Sequence, residues 1–178
     1  MPAKKNVLAI PGSTRAHSTN LNLIKAIEDL TKDIFYVTVF DGLMRIPPFN
    51  PDNDTEYPPS AIINFRKQLK DADGILICTP EYAMGVPGTL KNAIDWTVSS
   101  MEFMNKPVAL ITASSAGQKG HAALLETLKV IEARMAPETQ LLIPFVKTKV
   151  SATKITDDPT LREMKQLIAA FSKLMNDE

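Results

Sequence analysis

Five short apolar runs, each followed directly or after a loop by a stretch of helical spacing, leave this chain little choice of architecture. The runs are Val7 to Ile10, Phe35 to Phe40, Ile75 to Cys78, Val108 to Ile111 and Gln140 to Ile143. Each is short and apolar enough to be a strand covered on both faces. Between and after them lie helical stripes. These are Leu23, Ile24, Ile27 and Leu30; Ile62, Phe65 and Leu69, ending near Asp73-Gly74; Leu90, Ala93, Ile94 and Thr97, opened by Pro87 and Gly88; and Leu124, Leu128, Ile131 and Met135. A last stripe, Leu161, Met164, Ile168, Phe171 and Met175, follows Asp158-Pro159, which reads as an N-cap Asp with Pro at the first helical position. Alternating β and α units with right-handed crossovers predict a doubly wound α/β fold, a five-stranded parallel sheet of order 2-1-3-4-5 with helices on both faces. One long Pro- and Asp-rich segment, Asp41 to Pro59, has no period and reads as a loop.

At 178 residues and 44% apolar content, the chain is expected to form one domain over residues 1–178 with a substantial core. Its formal net charge is +0 and its basic residues are scattered, so neither nucleic acid nor an anionic membrane is an expected partner. The four apolar residues Val7 to Ile10 are too few for a signal peptide or a spanning helix, which points to a cytoplasmic protein. Cys78 stands alone in an apolar run and reads as a buried structural thiol. One Cys and two His, His17 and His121, offer no metal-ligand spacing and no nucleophilic triad, so no metal site is expected. Both histidines read as solvated loop residues.

Three polar segments follow strands one, three and four, and in a parallel sheet all three meet at the carboxyl edge, where ligands bind. The first is Gly12-Ser13-Thr14-Arg15 running through Ser18, Thr19 and Asn20. Gly12 permits a sharp turn, Ser13, Ser18 and Asn20 supply small donors, the following helix presents free N–H groups, and Arg15 adds a planar charged fork. A terminal phosphate monoester fits this set. Neither a Gly-x-Gly-x-x-Gly dinucleotide fingerprint nor a Walker loop is present. The second segment is Pro80-Glu81-Tyr82-Ala83-Met84 and the third is Ser114-Ser115-Ala116-Gly117 with Gly120. Backbone N–H groups of these loops suit the edge of a flat ring, with Tyr82 and Met84 covering its faces. Glu81 and Tyr82 have a structural alternative, in which Glu81 caps the helix that follows. Lys91, Asn92 and Asp95 read as packing and helix-end residues, and Trp96 as core or subunit interface.

The Gly-Ser-x-Arg-x-x-Ser-x-Asn pattern, together with Pro80-Glu81-Tyr82 and Pro-Gly-x-Leu-Lys-Asn-Ala-Ile-Asp-Trp over residues 87–96, resembles the NADPH-dependent FMN reductase family. This flavodoxin-like group includes quinone, chromate and azo-dye reductases. The resemblance runs from Val7 to the last helix. It implies FMN held by the three segments, and NADPH, or else NADH, as hydride donor. It also implies a small-molecule acceptor (a quinone, azo dye, free flavin or metal oxyanion) and a homodimer or homotetramer. No catalytic side chain is expected, because the cofactor carries the chemistry. Four departures stand out: Pro11 before the Gly-Ser, Ala83 where the family has Asn, Met84 beside it, and Lys119 and His121 flanking Gly120. FMN is still expected to bind, with Met84 favouring flat apolar acceptors. Two rival readings remain, a flavodoxin-type electron carrier, usually far more acidic than this neutral chain, and a flavin-free binding protein on the same fold.

Overall fold

The computed structural model describes residues 3–152 and 154–177. Its centre is a parallel sheet of β1 (Lys5–Pro11), β2 (Phe35–Val39), β3 (Gly74–Thr79), β4 (Val108–Ala113) and β5 (Gln140–Ile143), in the order β2-β1-β3-β4-β5. This is the expected flavodoxin-like topology. Register is in phase across the middle of the sheet, with Leu8 opposite Ile75, Ile10 opposite Ile77 and Ile77 opposite Leu110.

The two-residue period of the strands sorts their side chains into two cores. Leu8, Ile10, Ile75, Ile77, Val108 and Leu110 face α2 (Ser60–Asp71), α3 (Gly88–Asp95) and α4 (Gln118–Val130). Val7, Ala9, Leu76, Cys78, Ala109 and Ile111 face α1 (Thr19–Thr31) and α5 (Asp158–Leu174). The helices meet the sheet with the stripes read from their spacing, Leu23, Ile24 and Ile27 from α1, Ile62, Phe65 and Leu69 from α2, Met164, Ile168 and Phe171 from α5, except that Leu30, read with the α1 stripe, is exposed.

Three local expectations are corrected. The fourth helix stops at Val130, and Met135 joins the core from extended chain instead. Glu132 turns left-handed (φ 57°), and its carbonyl accepts from Asn105 while that of Arg134 accepts from Val108, so pairing with the segment before β4 overrides the helical spacing. The cap of α5 is Asp157, one residue earlier than expected. Its carboxylate accepts from the Thr160 amide (2.9 Å) and hydroxyl (2.7 Å), which leaves Asp158 and Pro159 as the first two helical residues. Thr97 lies beyond the end of α3, although it is buried as its spacing requires.

The long segment from Asp41 is not free. It forms short 3-10 turns at Leu43–Arg45 and Pro51–Asn53 and is strapped to α3. The Pro47 carbonyl accepts from Trp96 Nε1 and Asn92 Nδ2, both at 2.9 Å, and Asn92 Oδ1 accepts from the Phe49 amide at 2.7 Å. Phe49 meets Trp96 edge-on at 5.2 Å. Trp96 is fully buried, a core residue whose indole N–H is spent on the loop. After β5, an antiparallel pair β6 (Val150–Ser151) and β7 (Lys154–Ile155) lies against α1, with Val150 and Ile155 in the α1 core.

Candidate cofactor site

At the carboxyl edge of the sheet the loops after β1, β3, β4 and β5 enclose a cleft of about 380 Å³, within the usual range for small-molecule sites. Of the residues expected to bind a cofactor, Ser13, Arg15, Ser18, Thr19, Asn20, Pro80, Glu81, Tyr82, Ser114 and Ser115 line it. Three segments far apart in sequence are thus brought together.

Gly12 works differently from expectation. Its backbone lies outside the left-handed region, and what it provides is room: an added Cβ would sit 2.3 Å from Thr79 Oγ1. Its amide donates to the Cys78 carbonyl at 2.8 Å, holding the first loop against the end of β3. Ser18 caps α1, its hydroxyl accepting from the Asn20 amide at 3.2 Å. Ser13, also buried, accepts from the Arg15 amide at 3.4 Å. The positive end of α1 therefore opens into the cleft beside two buried hydroxyls. Asn20 is a brace: its Nδ2 donates to the Ala113 carbonyl (3.2 Å), and its Oδ1 accepts from the Cys78 thiol (3.3 Å). Burial pushes that thiol well above its ordinary range, in keeping with a structural cysteine. The exposed Arg15 side chain makes no ion pair among the described residues.

On the second loop, the Glu81 carboxylate accepts from the Gly120 amide at 2.6 Å. It thus caps α4, whereas α3, the helix that directly follows it, begins after Pro87 without a side-chain cap. Tyr82 is half exposed at the cleft wall. Ala83 and Met84 do not line the cleft. They form the tip of a tight turn, both left-handed (φ 50° and 62°), closed by paired 2.9 Å hydrogen bonds between Tyr82 and Gly85. The Met84 side chain is largely exposed to solvent and, contrary to expectation, is not part of the cleft lining.

Ala116, Gly117 and Gly120 also stand outside the lining. Ala116 is exposed beyond the wall, Gly117 is the left-handed (φ 104°) residue that turns the chain into α4, and Gly120 lies within that helix. His121 is not the solvated loop residue expected: it lies in the first turns of α4, partly buried, its Nδ1 2.8 Å from Thr112 Oγ1, and burial holds its pKa below the usual imidazole value.

Five lining residues went unread in the sequence: Ala113, Phe145, Val146, Lys147 and Thr148. The last four follow β5 and are tied to the third loop by the amides of Phe145 and Val146, which donate to the carbonyls of Ser115 (3.2 Å) and Ser114 (3.1 Å). The edge rule that singled out the loops after β1, β3 and β4 applies equally to β5, and was the signal available.

Among the described residues no group of acidic, Cys or His side chains is arranged to hold a metal ion, and no helix is long and apolar enough to cross a membrane.

Comparison with known proteins agrees with this geometry. The family model for NADPH-dependent FMN reductase matches residues 5–148. A quinone reductase of Escherichia coli K12 is 29% identical over 98% of this chain and 97% of its own length. An NAD(P)H-dependent FMN reductase of Pseudomonas aeruginosa is 32% identical over 93% of this chain and 92% of its own. In three dimensions the chain is similar to FerB of Paracoccus denitrificans, a flavoenzyme NAD(P)H:(acceptor) oxidoreductase, with a TM-score of 0.79, 22% identity and 97% of each chain covered. Four loops converging on one sheet-edge cleft, and a family match running through nearly all of them, lead to one conclusion: the chain belongs to the NADPH-dependent FMN reductase family, enzymes that work with FMN and NAD(P)H.

Proposed function

We propose that the cleft holds FMN with its phosphate at the Ser13 to Asn20 end and its ring against the Pro80 to Tyr82 and Ser114-Ser115 loops, and that the enzyme reduces small quinones with NAD(P)H. The observation that carries this reading is a single cleft with two unlike ends. One end offers a helix N-terminus, two buried hydroxyls and a guanidinium; the other offers loop backbone and an aromatic side chain. That donor set fits a flavin monophosphate. FMN held by these residues would supply two-electron chemistry, hydride acceptance from a nicotinamide and reduction of an acceptor.

The chain's own residues bind and position. Arg15 neutralises phosphate charge, and Ser13 and Ser18 donate to phosphate oxygens. Asn20 fixes the spacing of α1, β3 and β4 beneath it. Glu81, by gripping the Gly120 amide, fixes the second loop relative to the third. Tyr82, half exposed, and Phe145, largely exposed, give the cleft two aromatic faces, which suit a flat acceptor better than a small oxyanion. The quinone reductase name of the Escherichia coli relative points the same way.

The test is a titration of the apoprotein with FMN and riboflavin, followed by anaerobic addition of NADPH and steady-state turnover of a benzoquinone and of chromate. FMN should bind far more tightly than riboflavin, the flavin absorbance should bleach with NADPH, and kcat/KM should favour the quinone. Equal affinity for the two flavins would remove the phosphate assignment. A preference for chromate would remove the acceptor assignment alone.

A further inference from the structure

We propose that Lys147, on the loop after β5, is the second cation of the phosphate end and that it sets the preference for phosphorylated flavin jointly with Arg15. The inference rests on the cleft being the flavin site. It begins with charge. A phosphate monoester carries roughly −1.5 to −2 at neutral pH, more than one guanidinium balances. Three charged side chains line the cleft: Arg15, Glu81 and Lys147. Glu81 is committed to the Gly120 amide. Lys147 is therefore the one other cation along the described cleft wall, and it has no ion pair among the described residues.

Position makes the same case. Val146, immediately before Lys147, is buried in the core that contains Leu23, Ile24 and Ile27 of α1. Val150 and Ile155, just beyond, are buried in or packed against that same core. The strand pair that follows the loop packs on α1, whose N-terminus faces the phosphate end, while the Phe145 and Val146 amides tie the start of the loop to Ser115 and Ser114. The loop backbone is well fixed. Phe145 is left-handed (φ 53°), which reverses the chain into a 3-10 turn, Val146–Thr148. The Thr148 amide donates to Phe145 (3.0 Å), the Lys149 amide to Val146 (3.0 Å), and the Thr156 amide closes back onto the Lys149 carbonyl (2.8 Å). A lysine on so braced a turn brings charge to the cleft while its own side chain stays exposed and free to reach a ligand.

The experiment titrates apoprotein with FMN and with riboflavin, at low and high salt, for wild type, Lys147→Ala, Lys147→Arg and Arg15→Ala. Lys147→Ala is expected to weaken FMN about tenfold or more and riboflavin by less than about twofold, and to flatten the salt dependence of FMN binding. Lys147→Arg keeps the charge and should stay within about threefold of wild type. Unchanged FMN affinity in Lys147→Ala overturns the proposal, and so does an equal loss for both flavins, which would mark a merely structural loop. If Lys147→Ala leaves FMN binding intact but raises the KM of an anionic acceptor or of NADPH, the lysine serves that ligand and the proposal fails as well. The Arg15→Ala arm separates the levels: loss of FMN affinity there, with none at Lys147, sinks only this inference, whereas no loss at Arg15 sinks the phosphate end itself.

Discussion

Ala83 and Met84 fill the two central positions of a turn that demands left-handed backbone at both, a shape best served by Asn and Gly. Each non-glycine residue there costs about 1–2 kcal/mol. Ala83→Asn with Met84→Gly should therefore raise stability by about 1 kcal/mol, part of the gain being offset by the entropy of the new glycine, as read from urea unfolding. Because Met84 stands off the cleft, the same pair should leave the quinone-to-chromate ratio of kcat/KM unchanged; a shift would show that the hairpin tip does reach the acceptor. Arg15 is the opposite case: it is exposed, has no ion pair among the described residues, and its proposed role is to bind phosphate. Arg15→Ala is expected to weaken FMN by about 1.5–3 kcal/mol while barely moving the melting point of the apoprotein. A large loss of apoprotein stability with unchanged FMN affinity would contradict that role.

The strap between α3 and the long loop is the element whose logic emerges only in three dimensions. Asn92 uses both ends of its amide, donating to Pro47 and accepting from Phe49. Asn92→Ala removes both hydrogen bonds, each worth about 0.5–1.5 kcal/mol net, and should cost about 1–3 kcal/mol in denaturant unfolding. The far end of the loop is held by Asp54, which pairs with Arg66 (2.7 Å) and accepts from Ser99 Oγ (2.5 Å). Partial desolvation works to raise the Asp54 pKa, but the hydrogen bonds from Ser99 and Arg66, with the Arg66 charge, outweigh it and hold the carboxyl below its usual range. A carboxylate whose native pKa is depressed stabilises the fold fully above its unfolded value, about 4, and loses that contribution as pH falls through the lower native value. Wild type should exceed Asp54→Asn in unfolding free energy at pH 6, and the gap should shrink steadily as pH falls below about 4. A gap independent of pH would show that the ion pair is energetically silent.

Across the whole molecule, the proposed cofactor cleft is assembled from loops at the ends of four strands, so FMN bound there is expected to stabilise the entire sheet edge. A ligand at one hundred times its dissociation constant adds about 2.7 kcal/mol, or roughly 5–10 °C in melting temperature for a chain of this size. Riboflavin at the same concentration should give a much smaller rise if the phosphate end supplies most of the affinity. Thermal melts with each flavin check this, and identical shifts would argue that the ring end alone drives binding.

The alternation of apolar runs and helical stripes was enough to predict the sheet, its strand order and the edge at which a ligand must sit, because burial on two faces and right-handed crossovers leave few other arrangements. The residues of the first loop were readable for the same reason: small donors, an arginine and a helix start are chemistry written locally. What could not be read locally depended on distant partners. Glu81 caps α4 rather than the helix next to it, since the Gly120 amide is brought beside it only by the β3–β4 pairing. Asn20 became a brace because β3 and β4 end beneath α1. Met135 left the helix its spacing suggested when Glu132 and Arg134 found backbone partners before β4. The Phe145 to Thr148 wall carries no motif at all; it belongs to the cleft because β5 sets it beside Ser114 and Ser115, whose carbonyls bind its amides. Local propensity and periodicity choose elements, but hydrogen bonds between loops brought together by the sheet decide which side chains share a site.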